Sequence, residues 1–230
     1  MSGILYGVGV GPGDPELMTV KAWRLISTAH VIAYLCANGK DSTARDIANP
    51  FIAEATSEIA IDMPMRLERE PGEVAYDKGA AEIAAVLDAG KDVIMLCEGD
   101  PFFYGSFIYI FERLAKKYKT IVVPGVTSIT AAAAAIGQPL AASNDLLKVL
   151  PATLPEDKLH FELATSQAVA IIKVGRHFGK VKLILAELGL LSKATAIENA
   201  TRENQKITSV VDIEGDTLPY FTTIIVRNTT

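Results

Sequence analysis

The sequence has few of the side chains that cross-link a fold or bind a metal. Its 230 residues include two cysteines, Cys36 and Cys97, and three histidines. Both cysteines lie in apolar runs of strand character, so we expect two buried, reduced thiols rather than a disulfide. The cysteines and histidines show none of the spacings that are typical of metal ligands, and we therefore expect no bound metal.

Long apolar runs and an excess of positive charge are also missing. No uninterrupted apolar run approaches the ~18 residues that span a bilayer, and the first residues lack the basic segment of a secretory signal. Lysine and arginine number 22 against 27 aspartates and glutamates, a net charge of -5, which disfavours nucleic-acid binding through a basic surface. We expect a cytoplasmic protein with neither a membrane nor a nucleic-acid partner.

Three common nucleotide and hydrolase motifs are absent. The glycine-rich segment at residues 7–15, GVGVGPGDP, lacks the third glycine of a Gly-x-Gly-x-x-Gly dinucleotide fingerprint, because Pro12 or Asp14 stands at that position. The chain has no Gly-x-x-x-x-Gly-Lys-Ser/Thr phosphate loop and no Gly-x-Ser-x-Gly nucleophile elbow. The sequence therefore does not favour a nicotinamide, flavin or nucleoside-triphosphate enzyme, or a serine hydrolase.

The composition is that of a globular protein whose two halves follow different patterns. Hydrophobic residues make up 50% of the chain and charged residues 21%, enough for a substantial core. In the first half, apolar strand-like runs alternate with helical segments, which predicts an α/β domain with a mainly parallel sheet at residues 1–124. The second half ends in three successive strands, which predicts an α+β domain with a mixed or antiparallel sheet at residues 125–230.

The same patterns give the bounds of the expected elements. The predicted strands are residues 4–8, 30–36, 58–63, 92–97, 120–123, 146–150, 168–174, 194–199, 207–211 and 220–227. A first helix is expected to open at residues 14–16, with Leu17, Val20, Ala22, Leu25 and Ile26 on its apolar face. Further helices are predicted at residues 43–52, 73–87, 105–117, 127–136 and 156–165, and residues 180–188 are an ambiguous helix. The helix at 127–136 contains five consecutive alanines, which favours close packing against a neighbour.

Three glycine- and proline-rich loops follow predicted strands in the first 130 residues. They are residues 7–15, residues 98–105 (EGDPFFYG) and residues 123–128 (VPGVTS). Glycine and proline permit unusual torsions and bring the main chain close to a ligand. Loops of this kind at strand ends are what a ligand crevice at the carboxyl edge of an α/β sheet requires.

The second of these loops combines carboxylates with aromatic rings. Glu98 and Asp100 stand at the end of an apolar strand, and Phe102, Phe103 and Tyr104 follow. A pocket with this lining suits a ligand that carries a cationic sulfonium and an adenine ring. A purely local role for Asp100, forming a turn or capping a helix, accounts for its position equally well.

Basic residues are scattered and, taken singly, are typical of a solvated surface. In an acidic protein, however, two segments are locally basic: residues 66–69 (RLER) and residues 175–180 (GRHFGK). Either segment could meet substrate carboxylates. The candidate cations are Arg66, Arg69, Arg176 and Lys180, with Arg45 next.

Four ordered segments resemble the tetrapyrrole methylases, also called class III methylases, over almost the whole chain. These segments are residues 9–17, 99–105, 124–128 and 197–205. The resemblance implies a two-domain α/β homodimer that uses S-adenosylmethionine, with this methyl donor held between the domains and a tetrapyrrole at the carboxyl ends of the first-domain strands. It implies donor contacts from Pro12, Glu98, Gly99, Asp100, Phe103, Thr127, Ser128, Val174 and Ala200.

Residues 98–107 and 173–176 resemble the branch of this family that methylates C20 of precorrin-2. This implies formation of precorrin-3A in cobalamin biosynthesis, with Asp100 or Tyr104 as the nearest candidate to accept the proton lost from C20. The alternatives are methylation of the cobalt-bearing factor II, of uroporphyrinogen III or of another class III substrate, and non-catalytic binding of a nucleoside-like ligand. Glu98 stands where the uroporphyrinogen III methylases have glycine, which argues against that activity.

Overall fold

A computed structural model describes residues 2–37, 39, 42–64 and 70–228. The chain divides into two compact units, Met1–Thr127 and Ser128–Thr230. The assignment of a separate role to domains 1–124 and 125–230 stays a prediction.

The first unit is built on a five-stranded parallel sheet with the order β3-β2-β4-β1-β5. Its strands are β1 (Leu5–Gly9), β2 (Val31–Ala37), β3 (Ser57–Met63), β4 (Val93–Cys97) and β5 (Thr120–Val123). Every residue of β4 is buried, as expected of a central parallel strand that is covered on both faces. The predicted parallel α/β architecture is confirmed.

Four helices cover the two faces of this sheet: α1 (Val20–Ser27), α2 (Thr43–Ala48), α3 (Glu70–Asp88) and α4 (Phe107–Leu114). Successive strand residues point to opposite faces, so alternate residues of β4 enter different cores. Ile94 and Leu96 share one core with α1 and α2. Val93, Met95 and Cys97 share the other core with α3 and α4. The unit is therefore a three-layer α/β/α fold.

The first helix differs from the expectation at its start. The Asp14 carboxylate accepts the main-chain N–H of Glu16 at 2.8 Å and opens a short 3-10 turn, Pro15–Leu17. The α-helix begins only after Thr19, whose Oγ1 accepts the N–H of Ala22 at 3.2 Å. Two separate caps thus split the predicted helix. Val20 lies in the first turn with 78% of its surface exposed, so its placement on the apolar face was wrong.

The second unit has a mixed five-stranded sheet with the order β6-β7-β10-β8-β9. Its strands are β6 (Leu147–Pro151), β7 (Ala168–Ile172), β8 (Ala194–Glu198), β9 (Lys206–Ser209) and β10 (Thr222–Arg227). β6 and β7 are parallel, whereas β10 pairs antiparallel with both β7 and β8, and β8 pairs antiparallel with β9. The predicted mixed sheet is confirmed.

Helices also flank this second sheet. α6 (Glu156–Ala164) and α7 (Phe178–Glu187) contribute Leu159, Leu163, Phe178 and Val181 to its main core. The alanine-rich α5 (Ser128–Ile136) packs on β10 and β8 with Ala131–Ala133 buried, which confirms the close packing expected of small side chains. Within the described parts of the chain, no helix is both long and apolar enough to cross a membrane.

Candidate functional site

The loops after β1 and β4 lie side by side at the carboxyl edge of the first sheet. β1 and β4 are neighbours, but the chain leaves β1 towards α1 on one face and leaves β4 towards α4 on the other. Neighbouring strands whose following helices lie on opposite faces leave a gap between their loops, and ligands of open α/β sheets bind there. The structure thus brings together the glycine-rich loops that the sequence placed at strand ends.

Main-chain hydrogen bonds join these two loops directly. The N–H of Gly99 donates to the carbonyl of Gly11 at 2.8 Å, and the N–H of Gly11 donates back to Gly99 at 3.4 Å. Both glycines have positive φ angles, +84° for Gly11 and +62° for Gly99, a region that glycine adopts without steric cost. The first two loops therefore form one rigid main-chain junction.

The third loop, after β5, packs against the same junction at Gly9, Gly99 and Gly125. A Cβ on Gly9 would lie 2.5 Å from the carbonyl oxygen of Gly99 and 2.7 Å from the nitrogen of Gly125. A Cβ on Gly125 would lie 2.0 Å from the same Gly99 oxygen. We call these three residues the glycine junction. Only main chain fits where the three loops meet.

The Asp100 side chain ties the second loop to the third. Its Oδ1 accepts the N–H of Phe102 at 2.9 Å, and its Oδ2 accepts the N–H of Gly125 at 3.0 Å. The contact with Phe102 is the local turn that the sequence allowed for. The contact with Gly125 spans 25 residues and had no signal in the sequence. A catalytic role for Asp100 stays a prediction.

Aromatic rings extend from the second loop as expected. The rings of Phe103 and Tyr104 meet edge to face with centroids 5.2 Å apart, and Phe102 meets Phe111 in the same way at 4.9 Å. Tyr104 has a φ of +55°, and 47% of its surface is exposed. A non-glycine residue in the left-handed region is strained, and such residues cluster at ligand sites.

A negative charge lies at the base of the second loop. Burial raises the pKa of the Cys97 thiol to about 11, and the neighbouring charge of Glu98 contributes to this shift. Burial likewise raises the pKa of Cys36. Both cysteines are free and buried, as predicted. Glu98 itself is half-buried. A carboxylate in this position suits a cationic ligand group.

The remaining predicted donor contacts of the first unit lie in the same loops. Pro12, in the first loop, and Thr127, at the end of the third, are both half-buried. Ser128 is the exposed first residue of α5 and belongs to the second unit.

A second candidate edge is found in the second unit, at the carboxyl ends of β7 and β8. These strands run in the same direction, since each is antiparallel to β10, so their following loops lie at one edge. Each loop begins with a left-handed residue, Lys173 at φ +56° and Asn199 at φ +50°. The buried Val174 and Ala200, both predicted donor contacts, come next in these loops.

Two aromatic residues at this edge were not predicted as site residues, because the sequence pattern placed them in a strand at 220–227. Tyr220 and Phe221 precede β10, and 71% of the Tyr220 surface is exposed. Their rings meet edge to face at 5.0 Å, and the Arg202 guanidinium lies 4.4 Å from the Phe221 ring centroid. The N–H of Asn199 donates to the Phe221 carbonyl at 2.8 Å. These contacts place the aromatic pair beside the loop that carries Ala200.

The basic segment after Val174 lies at this same edge. Arg176 is exposed, and its Nε donates to Nε2 of His177 at 3.4 Å. The Lys180 ammonium donates to the carbonyl of Leu154 at 2.5 Å. Burial, and then the charges of Lys180 and Arg176, lower the pKa of His177. The potential at this edge is thus locally positive. Arg66 and Arg69 fall outside the described residues.

Arg45 is engaged elsewhere. Its guanidinium binds both carboxylate oxygens of Glu58, at 3.0 and 3.1 Å, and the side-chain oxygen of Asn49 at 2.7 Å. The Tyr34 hydroxyl also donates to Glu58 at 2.8 Å, and these bonds lower the pKa of Glu58. Glu58 is at the amino end of β3, opposite the carboxyl edge of the sheet. We therefore remove Arg45 from the proposed substrate contacts.

Comparison with known families decides the affiliation of the chain. The family described as Tetrapyrrole (Corrin/Porphyrin) Methylases matches residues 4–213. The chain belongs to this family. The resemblance seen in its glycine-rich loops is confirmed. In the described residues of this tetrapyrrole methylase, no three histidine, cysteine, aspartate or glutamate side chains are grouped as metal ligands.

Three curated relatives illustrate the range of similar tetrapyrrole methylases. The chain is 41% identical over 227 residues to the cobalamin biosynthesis protein CobIJ of Mycobacterium tuberculosis, covering 95% of this chain but 45% of that protein. It thus spans about half the length of this relative. It is 36% identical over 238 residues to the precorrin-2 C(20)-methyltransferase of a Sinorhizobium species, covering 98% and 97%. It is 32% identical over 230 residues to the cobalt-precorrin-2 C(20)-methyltransferase of Salmonella typhimurium, covering 99% and 97%.

A solved structure shares the fold. The uroporphyrin-III C-methyl transferase from Thermus thermophilus, in complex with S-adenyl homocysteine, superposes with a TM-score of 0.69 over 97% of each chain at 22% identity. This similarity confirms the fold class of the tetrapyrrole methylase.

Proposed function

We propose that the protein is an S-adenosylmethionine-dependent methyltransferase that methylates C20 of precorrin-2 and forms precorrin-3A in cobalamin biosynthesis. The observation that carries the proposal is the junction of the three glycine-rich loops at the β1–β4 crevice, in a chain of the tetrapyrrole methylase family. The Sinorhizobium relative, similar over nearly the full length of both chains, supports the choice of substrate and of carbon atom.

The residues of the first unit fit the proposed methyl donor. The glycine junction leaves main chain alone at the base of the crevice, so a ligand there meets peptide groups at close range. Glu98 supplies a negative charge, and Phe103 and Tyr104 supply aromatic surface, which suits a sulfonium cation and an adenine ring. Pro12, Gly99, Asp100 and Thr127 complete the proposed contacts of this unit.

The second unit contributes its own proposed donor contacts, Ser128, Val174 and Ala200. Val174 and Ala200 are buried and have apolar side chains, so any hydrogen bond from them to a ligand comes from main-chain groups. When bound, S-adenosylmethionine supplies an electrophilic methyl group on sulfur. The protein contributes chiefly by fixing the position and orientation of both reactants, which is worth several kcal/mol of the barrier in well-ordered sites, roughly 7–11 at best.

The proposed substrate carries many carboxylates, whereas the chain has a net charge of -5. Binding therefore needs cations placed at the substrate against an unfavourable average field. Arg176 and Lys180 lie on one locally positive segment of the second unit, and Arg66 and Arg69 are proposed from the sequence. After methylation a proton leaves C20, and Tyr104, half-exposed on the second loop, is a candidate acceptor.

Methylation of the cobalt-bearing factor II is the second candidate function. The Salmonella relative named for cobalt-precorrin-2 is similar over almost the whole of both chains, which supports a cobalt-bearing substrate as the alternative. Methylation of uroporphyrinogen III, or nucleoside binding without catalysis, are further alternatives. The cytoplasmic location and the homodimer stay predictions.

A direct assay separates these functions. The purified protein is incubated with labelled S-adenosylmethionine and, in parallel, with precorrin-2, cobalt-factor II or uroporphyrinogen III, and the products are analysed by mass spectrometry. We expect one methyl group on precorrin-2, located at C20 by NMR. Faster methylation of cobalt-factor II would transfer the proposal to the cobalt-bearing substrate. Two methyl groups on uroporphyrinogen III would contradict it. Calorimetric donor binding without transfer to any substrate would indicate a binding protein.

Substitution of two proposed substrate cations tests how the tetrapyrrole is held. The double variant Arg66→Ala with Arg176→Ala should raise the Michaelis constant for precorrin-2 about tenfold, the equivalent of about 1.4 kcal/mol, and leave donor affinity unchanged. Charge-assisted contacts of arginine with carboxylates contribute more than the ~0.2–1 kcal/mol of an ordinary surface pair. High salt should weaken substrate binding in the same way, through screening. Steady-state kinetics measure both effects.

The matched control removes two cations that lie away from the candidate edges. Lys78, on α3, and Lys193, immediately before β8 at the amino edge of the second sheet, are both exposed. The double variant Lys78→Ala with Lys193→Ala changes the net charge by the same two units and again takes one charge from each unit. An equal rise in the Michaelis constant in both double variants would show that only net charge matters and that the proposed cations are wrong.

A further inference from the structure

We propose that Asp100 is a positioning residue, whose carboxylate latches the third loop to the second and so sets the shape of the donor site, rather than the base of the reaction. The proposal rests on the proposed function, because Asp100 belongs to a loop of the proposed donor site. It replaces the sequence-based expectation that Asp100 accepts the C20 proton.

The first argument is the topology of the latch. Asp100 follows β4, and Gly125 follows β5, but β1 lies between these strands in the sheet. The bond from the Gly125 N–H to Asp100 Oδ2, 3.0 Å long, therefore crosses over the end of β1. Gly9 is the last residue of that strand, and a Cβ on it would meet both loops. The Asp100 side chain thus joins the loops that follow β4 and β5, two strands that are not paired with each other in the sheet.

The second argument concerns the main chain of the third loop. The ladder between β1 and β5 ends at the pair Val8–Val123, so the N–H of Gly125 lies beyond the last ladder position. A main-chain N–H in a half-buried loop needs an acceptor, and leaving it without one costs free energy comparable to a hydrogen bond. Asp100 provides that acceptor. Thr127, a proposed donor contact, comes two residues later, so the latch sets where it lies.

The third argument is the use of both carboxylate oxygens. Oδ1 accepts from Phe102 at 2.9 Å while Oδ2 accepts from Gly125. Each oxygen is therefore oriented by a main-chain hydrogen, and the carboxylate plane is fixed by the two loops. A group held in this way orders its neighbours before the ligand arrives, which reduces the entropy lost on binding. A proton acceptor, in contrast, needs an oxygen directed at the reacting carbon.

The chain offers a matched control at the other end of the same strand. Asp92, immediately before β4, accepts the N–H of Ile4 through Oδ1 at 2.7 Å. This is also a carboxylate bond to the main chain of a neighbouring segment, but it lies at the amino edge of the sheet. Asp92→Ala therefore shows what the loss of such a bond does to stability alone.

The experiment compares Asp100→Ala, Asp100→Asn and Asp92→Ala with the unsubstituted protein. Three quantities are measured: the dissociation constant for S-adenosylhomocysteine by calorimetry, the exchange rate of the Gly125 amide hydrogen by NMR, and the pH profile of kcat with precorrin-2. Asp100→Ala should weaken donor binding at least tenfold and accelerate exchange at Gly125. Asp100→Asn keeps one acceptor oxygen. Its donor affinity and its Gly125 exchange rate should therefore lie between those of Asp100→Ala and those of the unsubstituted protein, and the shape of its pH profile should be kept. Asp92→Ala should lower the melting temperature but leave the dissociation constant and the Gly125 exchange unchanged.

Two results would overturn the latch. One is unchanged exchange at Gly125 in folded Asp100→Ala, which keeps no acceptor oxygen. The other is an Asp100→Asn variant with normal donor affinity and Gly125 exchange whose kcat falls a thousandfold with loss of one limb of the pH profile, since this is the behaviour of a base. If Asp100→Ala does not fold, Asp100→Asn decides. If the unsubstituted protein binds no donor, the proposed function fails, while the Gly125 exchange still tests the latch.

Discussion

The variant Gly125→Ala is expected to bind S-adenosylhomocysteine at least about 100-fold more weakly than the unsubstituted protein, a loss of about 2.7 kcal/mol. Its Cβ would lie 2.0 Å from the Gly99 carbonyl oxygen and 2.9 Å from the Gly9 Cα. Both atoms are main chain and no rotamer relieves the overlap, so the third loop must move. Added methyl groups in packed positions cost about 1–3 kcal/mol through such shifts. Calorimetry measures the donor affinity, and circular dichroism checks the fold.

Gly72→Ala is the matched control for this substitution. Gly72 lies in the first turns of α3, and the nearest atom to a Cβ there is the Met63 Cε at 3.8 Å. Alanine is favoured over glycine inside a helix by about 1 kcal/mol, so this variant should be slightly stabilised and bind the donor normally. Normal donor binding by Gly125→Ala would show that the glycine junction is not part of the donor site.

The variant Phe107→Ala is expected to lose about 3–5 kcal/mol of stability, the usual cost of deleting a fully buried phenylalanine. Phe107 begins α4 and is completely buried beneath β1. A Cβ on Gly7 would lie 2.3 Å from its ring, so glycine in β1 makes the space that the ring fills. Its removal leaves a cavity directly under the strand that ends at the glycine junction.

The measurement follows the fluorescence of Trp23 during urea unfolding. Trp23 is the single tryptophan of the chain and lies on α1, so it reports the first unit in a chain whose unfolding need not be two-state. Val74→Ala provides the control, because that side chain lies on α3 of the same unit with 63% of its surface exposed. A loss below about 0.5 kcal/mol in Phe107→Ala, within the range of a surface substitution, would show that the site collapses without a cavity.

Much of the fold was accessible from local patterns. Short, nearly continuous apolar runs bounded by glycine and proline predict buried strands, and the run at 92–97 differs from β4 by a single residue. Glycine-rich loops after such strands pointed to the carboxyl edge of the sheet, which is where the structure places them. The prediction of one helix that opens at residues 14–16 was less accurate. Asp14 caps a short 3-10 turn, and the α-helix begins separately after the second cap, Thr19.

The contacts that give the site its shape were not accessible, because they join segments that are far apart in sequence. In the sheet, β1 lies between β4 and β5, and no pattern in the sequence specifies which strands are neighbours. Arg45 was a reasonable candidate for a substrate carboxylate, but its partner is Glu58 on the next strand, and an arginine looks the same in a sequence whether or not it is already paired. Tyr220 and Phe221 were predicted to be strand residues, whereas β10 begins only at Thr222.

The glycine junction also has a consequence for how the protein folds. Gly9 and Gly125 are separated by on the order of 100 residues, so their contact closes a long loop and forms only after the intervening strands have paired. A donor that binds there stabilises the complete first unit and does not stabilise partly folded chains. If the donor binds at this junction, as proposed, it cannot assist folding during synthesis before residue 125 has left the ribosome, and its effect is to slow unfolding of the finished unit.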